Sequence, residues 1–145
     1  DLSGLLYSVK KDYCSHPSSK NNQLVLTTQS GLPEISADPE RLIQVVTNLI
    51  SNAERHTKNG TITISLTGEP GWQTICVSDT GTGMSEEMRK NALKGYVSAD
   101  KDYWRHGIGL YVCHQIITAH GGKIWLKSKE GEGTQVFFSL PEEES

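Results

Sequence analysis

Between Asp38 and Thr57 the apolar residues fall at Leu42, Val45, Val46, Leu49, Ile50 and Ala53, the three-and-four spacing of one buried helix face. Asp38 is placed to cap that helix and Pro39 to occupy its first turn, where a missing N–H costs nothing. Upstream, Leu2, Leu5, Leu6 and Val9 predict a shorter amphipathic helix. A loop from Ser15 to Asn22, an alternating strand from Gln23 to Thr28 and a second extended piece from Glu34 to Ala37 follow it. Downstream, Asn59-Gly60 makes a turn, and Thr61 to Thr67 with Trp72 to Ser78 alternate as a hairpin around Gly68 to Gly71. Ser85 is placed to cap a short helix containing Glu86, Glu87, Met88 and Ala92. No period holds from Leu93 to His106, and an irregular stretch of that length inside a domain reads as a lid. Ile108, Val112, Ile116 and Ala119 mark the core face of a helix that opens at Gly107 and ends at Gly121-Gly122. Lys123 to Ser128 and Thr134 to Leu140 then form a second hairpin across Gly131 to Gly133. This order of elements predicts helices layered on one face of a mixed, largely antiparallel sheet.

Composition narrows the picture. The 145 residues suit one domain with a real core, and no apolar run approaches the length of a membrane span. Fourteen basic and 17 acidic residues, well mixed and summing to −3, give no global attraction for nucleic acid, so any anionic ligand must be held locally. Cys14, Cys76 and Cys113 are odd in number and lack metal spacing, which predicts free thiols acting as small buried hydrophobes.

The polar side of the long helix asks for a reason. Gln44, Asn48, Asn52 and Arg55 recur every three or four residues, within roughly 80° of one another at about 100° per residue. Asparagine is a mediocre helix former, and two on one stripe beside a core face are either a solvated surface or a site. Asp79, followed by Gly81 and Gly83, is either a polar strand end or a carboxylate fixed in a pocket, where it would accept a hydrogen bond from a ligand amine while the glycines let a flat ring approach. Gly107 and Gly109 ahead of a helix are a packing device more often than a phosphate site, in which backbone N–H groups would meet phosphate oxygens.

Taken in order, NLISNA (Asn48 to Ala53), DTGTGM (Asp79 to Met84), HGIGL (His106 to Leu110) and GEGT (Gly131 to Thr134) resemble the N, G1 and G2 boxes and the last glycine-threonine motif of one family. That family is the catalytic ATP-binding domain of bacterial sensor histidine kinases, in the GHKL superfamily with gyrase, heat-shock chaperone and mismatch-repair ATPases. The resemblance runs almost end to end. It implies a left-handed two-layer α/β sandwich, the Bergerat ATP-binding fold, spanning residues 1–145 as one domain cut from a longer chain, with a lid at about 84–106. It implies ATP and Mg²⁺ as cofactors, with Asn52 as metal ligand, a role that suits a hard cation seeking oxygen. Asn48, Asn52 and Arg55 would be catalytic. Around the nucleotide it places Asn48, Asn52, Arg55, His56, Asp79, Gly81, Gly83, Met84, Arg105, His106, Gly107, Ile108, Gly109, Leu110 and Thr134, with Asp79 on the adenine amine and Thr134 assisting through its hydroxyl. Where ATP-hydrolysing relatives carry a glutamate base, this chain has Asn48, which favours phosphoryl transfer over hydrolysis.

The sequence also departs from that pattern. Arg55 stands where lysine is usual, His56 where tyrosine is common and Arg105 where many members have another glycine, and Tyr96 is the nearest candidate for the phenylalanine-rich box. None of His16, His56, His106, His114 and His120 lies in the pattern of a phospho-accepting histidine followed by an acidic residue. The expected partners are therefore a separate dimerisation and phosphoacceptor domain of the same protein and the receiver domain of a response regulator, with no nucleic acid. The expected location is the cytoplasmic side of a membrane-anchored bacterial sensor. The rivals are a serine kinase of the anti-sigma-factor type and a degenerate interaction module that binds no nucleotide.

Overall fold

A computed structural model of the chain describes residues 2–15, 21–83, 86 and 101–142, with residues 101–109 described as backbone. The long helix forms as its pattern requires. This helix, α2 (Pro39–His56), follows α1 (Leu2–Cys14) and β1 (Gln23–Thr28) and is capped by Asp38, whose Oδ1 accepts from the N–H groups of Glu40 and Arg41 at 3.1 and 3.4 Å. The cap residue is itself held, its N–H donating to His120 Nε2 at 3.1 Å, while His120 Nδ1–H donates to the Ile116 carbonyl at 2.8 Å. Leu42, Val45, Val46, Leu49, Ile50 and Ala53 are all buried, and burying each large apolar side chain contributes about 1.5–3 kcal/mol.

The hairpin β2 (Thr61–Glu69) and β3 (Trp72–Asp79) turns at Pro70-Gly71, and β4 (Lys123–Lys129) with β5 (Gly133–Pro141) makes the second hairpin. The five strands lie in the order β1-β2-β3-β5-β4, with β1 parallel to β2 and every other pair antiparallel. One face, through Leu24, Ile62, Ile64, Leu66, Ile75, Val77, Val136, Phe138 and Leu140, packs against the helices. The other is open, with Trp125 stacked on Phe137 at 5.4 Å. This is a mixed, mostly antiparallel sheet with helices on one face, the Bergerat layout.

Four expectations change. The last helix, α3 (Lys101–Ala119), begins at Lys101 rather than Gly107, so residues 101–106 of the expected loop are helical. Its buried residues are Leu110, Cys113 and Ile117, whereas Val112 and Ile116 are only half-buried and Ala119 is exposed. Both sets fit a three-and-four spacing, and packing against α2 selects the one that includes a cysteine. The stretch Glu34 to Ala37 forms no strand: Ile35 and Ala37 pack against the core as irregular chain, beside Pro33, whose carbonyl accepts from Gln73 Nε2 at 2.6 Å. Cys76 and Cys113 are buried as expected of small hydrophobes, but Cys14 is exposed. The expected short helix after Ser85 and the stretch from Leu93 to Asp100 lie outside the described residues.

Candidate functional site

Register brings the candidate groups to one end of the molecule. Asp79, the last residue of β3, pairs with Thr134 near the start of β5, and Thr134 pairs with Ser128 of β4. All three side chains lie on the covered face, at the end of the sheet near the C-terminus of α2. Asp79 is 8% exposed, and its Oδ1 accepts from Gly81 N–H at 2.9 Å and Thr134 N–H at 3.3 Å. Both bonds fall on the same oxygen, and among the described residues no hydrogen bond reaches Oδ2, which is the acceptor open to a ligand donor. Burial raises the pKa of this carboxyl above the ordinary aspartate value, opposed by the Gly81 and Thr134 N–H groups and by the positive charge of His56. The buried Thr57 hydroxyl adds a weaker pull from outside strict hydrogen-bond geometry.

The glycines after Asp79 have a nearer task than admitting a ring. A Cβ on Gly81 would stand 2.1 Å from the His56 carbonyl oxygen, and one on Gly83, whose φ is +72°, 2.1 Å from the Lys129 carbonyl oxygen. The missing side chains let the turn run directly over the end of α2 and against the β4–β5 turn. Thr82 N–H donates to the His56 carbonyl at 3.0 Å, and Gly131 N–H to the Thr82 carbonyl at 2.7 Å. The end of α2 and two sequence motifs, DTGTGM and GEGT, are thereby sewn to one another through backbone.

On α2, Asn52 is buried, Asn48, Arg55 and His56 are half-buried and Gln44 is exposed, so the polar stripe dips beneath the surface toward its C-terminal half. Next to it a cavity of about 510 Å³ is lined by Arg55, His56, Thr57, Lys58, Thr80, Gly81, Thr82 and Gly131. A second, of about 480 Å³, runs past Asp79, Thr134, Ser128 and Lys127. Volumes of this order suit a small-molecule ligand. The donor set suits Mg-ATP: amide oxygens for a hard cation, cationic side chains for phosphate and an acceptor-only carboxylate for a base amine.

Leu110 is a core residue at 1% exposure. The backbone of Arg105, His106, Gly107, Ile108 and Gly109 is helical, so the N–H groups expected to meet phosphate at a helix start lie within α3. Met84 lies outside the described residues. The Thr134 hydroxyl has a protein partner, Ser128 Oγ at 2.8 Å.

Sequence reasoning missed Ser128, Thr57 and Asn22. Asn22 is buried, donates to the Thr57 carbonyl at 2.8 Å and accepts from Gly60 N–H at 3.0 Å, clamping the chain as it leaves α2. Its signal was an asparagine beside a strand start, which is common in any loop.

A buried acceptor at a strand end, beside the cationic residues that close a helix and on the covered face of a sheet, is the arrangement of a nucleotide-binding domain of Bergerat type. The chain belongs to the family of histidine kinase-, DNA gyrase B- and HSP90-like ATPases, whose profile matches residues 37–144. It is 39% identical over 127 residues to the adaptive-response sensory kinase SasA of Synechococcus elongatus, covering 85% of this chain and 33% of the relative. SasA of Crocosphaera subtropica is 32% identical over 97% of this chain and 38% of its own length. The chain thus spans about a third of the curated relatives it matches. Among solved structures, the nucleotide-free catalytic domain of histidine kinase ThkA superposes with a TM-score of 0.83 at 27% identity, covering 97% of this chain and 92% of that one. Full-length ShkA in complex with AMPPNP gives 0.84 at 27% identity, over 97% of this chain and 30% of that one.

Proposed function

We propose that this chain is the catalytic domain of a sensor histidine kinase, binding Mg-ATP at the C-terminal end of α2 and donating the γ-phosphate to a histidine on a separate dimerisation domain. The observation that carries the reading is Asp79, a buried carboxylate with one oxygen fixed by backbone donors and the other left to a ligand, on the same side of the sheet as Asn52 and Arg55. Bound Mg²⁺ would supply charge neutralisation for the transferring phosphoryl group. Of the chain's own residues, Asn48 and Asn52 offer neutral oxygens to the metal and its water, Arg55 and Lys58 bring positive charge to phosphate, and Asp79 selects the base. Without a carboxylate base where Asn48 stands, water is not activated, and catalysis is positioning and electrostatics. Residues 1–145 act as one domain, with 84–106 closing over the nucleotide.

The ShkA complex with AMPPNP and a ThkA complex with the response regulator TrrA, 26% identical to this chain at a TM-score of 0.80, support nucleotide binding here and a receiver domain as the downstream partner. The expected setting is the cytoplasmic side of a membrane-anchored sensor.

Calorimetric titration with Mg-ATP tests the reading. The chain should bind, and Asn52→Ala, which removes an oxygen ligand, should abolish the Mg²⁺ dependence of binding while the melting temperature changes little, the side chain being outside the apolar core. Absence of binding by the unaltered chain, or an Asn52→Ala chain with full Mg²⁺ dependence, would overturn it.

A further inference from the structure

The open face of the sheet changes character from one side to the other. Register places small hydroxyls on it along β2 and β3, among them Thr63, Ser65, Thr67 and Thr74, and large side chains along β5 and β4. On β4 the outward residues are Lys123, Trp125, Lys127 and Lys129, while Ile124 and Leu126 turn inward against the core. Trp125 lies nearly parallel to Phe137 of β5, the ring planes 5° apart, and remains 38% exposed. The lysines on either side of it lean inward over the sheet. Lys123 Nζ is 5.6 Å from the centre of the Trp72 ring on β3, and Lys127 Nζ is 5.6 Å from that of Phe137. At that distance a ring face attracts an ammonium group and still leaves it open to an anion.

These charges are largely unanswered within the chain. Among the described residues neither Lys123 nor Lys127 has an ion pair, and Lys129 meets only Glu132 of the adjoining turn, at 3.6 Å in an exposed pair that holds it weakly. Among the strand residues, Glu69 is the acid that register puts on this face, and it stands at the far corner, opposite Trp72. A chain of net charge −3 thus carries a local cationic ridge built around aromatic rings, the layout of an apolar contact with a charged rim.

We propose that this ridge docks an extended acidic segment of a partner protein: carboxylates at i and i+4 meet Lys123 and Lys127, and an apolar side chain at i+2 rests on the Trp125–Phe137 stack. The spacing carries the choice of occupant. Lys123 and Lys127 are about 13 Å apart along one strand at ~3.3 Å per residue, and a second extended chain repeats that interval with its i, i+2 and i+4 side chains on one side. A nucleic acid strand fits less well. With a phosphate about every 3.4 Å of helix axis, it would lay uncompensated charges on the ring stack between the two lysines. Asp79 and α2 belong to the covered face, so the ridge stays accessible in a chain that holds nucleotide, and the proposal does not depend on nucleotide binding.

The test is an NMR titration of the chain with the end-blocked peptide GETLTEG, its charge-reversed counterpart GKTLTKG and a uridine oligonucleotide. GETLTEG should shift the indole N–H signals of Trp72 and Trp125 and the backbone amides of β4 and β5, should lose affinity at 1 M salt, and should bind at least about tenfold more tightly than GKTLTKG. Lys123→Glu combined with Lys127→Glu should exchange the preference, releasing GETLTEG and binding GKTLTKG. Should that double variant disturb the sheet, Lys123→Gln with Lys127→Gln removes the cations without adding charge and should simply lose GETLTEG. No shift of these signals, equal shifts with both peptides, a double variant that still prefers GETLTEG, or an oligonucleotide that binds the same residues more tightly would each overturn the proposal.

Discussion

An ionised carboxylate accepts hydrogen bonds and donates none, so Asp79 can pair with the amino group of adenine and not with the carbonyl that guanine carries at the same ring position. With GTP two acceptors would face each other in a partly dry pocket, at a cost of about 1–3 kcal/mol. ATP should therefore displace a fluorescent ATP analogue at least about tenfold more effectively than GTP. Equal displacement would remove Asp79 from the base site. The raised pKa of Asp79 gives a second, signed expectation. The native state holds this proton more tightly than the unfolded chain does, so the carboxyl's contribution to stability is present below its ordinary pKa and is lost as pH rises through the native value. Ionised Asp79 thus destabilises the fold near neutrality. Asp79→Asn should raise the melting temperature at pH 7 while weakening ATP and narrowing the gap to GTP. In the wild type, ATP affinity should fall on acidification from above the ordinary carboxylate range. A variant that melts lower at pH 7 would contradict this account of the carboxyl.

At the scale of elements, α2 was readable because each of its signals agreed: a cap, a proline in the first turn, one apolar face and a polar stripe. The last helix was not. Its apolar residues satisfy two overlapping spacings, and only contact with α2 chooses Leu110, Cys113 and Ile117 over Val112 and Ile116. Its start was misplaced because glycines at 107 and 109 read as a boundary, although each costs a helix interior only about 0.5–1 kcal/mol relative to alanine. That cost supports a prediction. If phosphate is to meet these backbone N–H groups, the first turns of α3 must open when nucleotide binds. Gly107→Ala should then stabilise the free chain by about 0.5–1 kcal/mol in denaturant unfolding and weaken Mg-ATP binding. Unaltered ATP affinity in a stabilised Gly107→Ala chain would show that phosphate does not contact this turn.

Across the whole molecule, the layer architecture followed from the order of elements, but three features that build the site are non-local and left no local trace. β1 joins parallel to β2 across the intervening α2. Asn22 clamps the exit of α2 from 35 residues away. Gly81 and Gly83 make room for carbonyls of His56 and Lys129, which no reading of DTGTGM alone could assign. The order of the four motifs was nonetheless legible, because each needs its own residue types where it stands. In the function proposed, this domain supplies the phosphoryl group and a separate domain receives it. It is tested most directly by incubating the chain with Mg-ATP labelled at the γ-phosphate, alone and with a phosphoacceptor domain added in trans. Acid-labile, base-stable label is expected on the added domain and none on the chain by itself. Stable phosphohistidine on the chain alone, or no transfer to a domain carrying the acceptor histidine from the same parent protein, would contradict it.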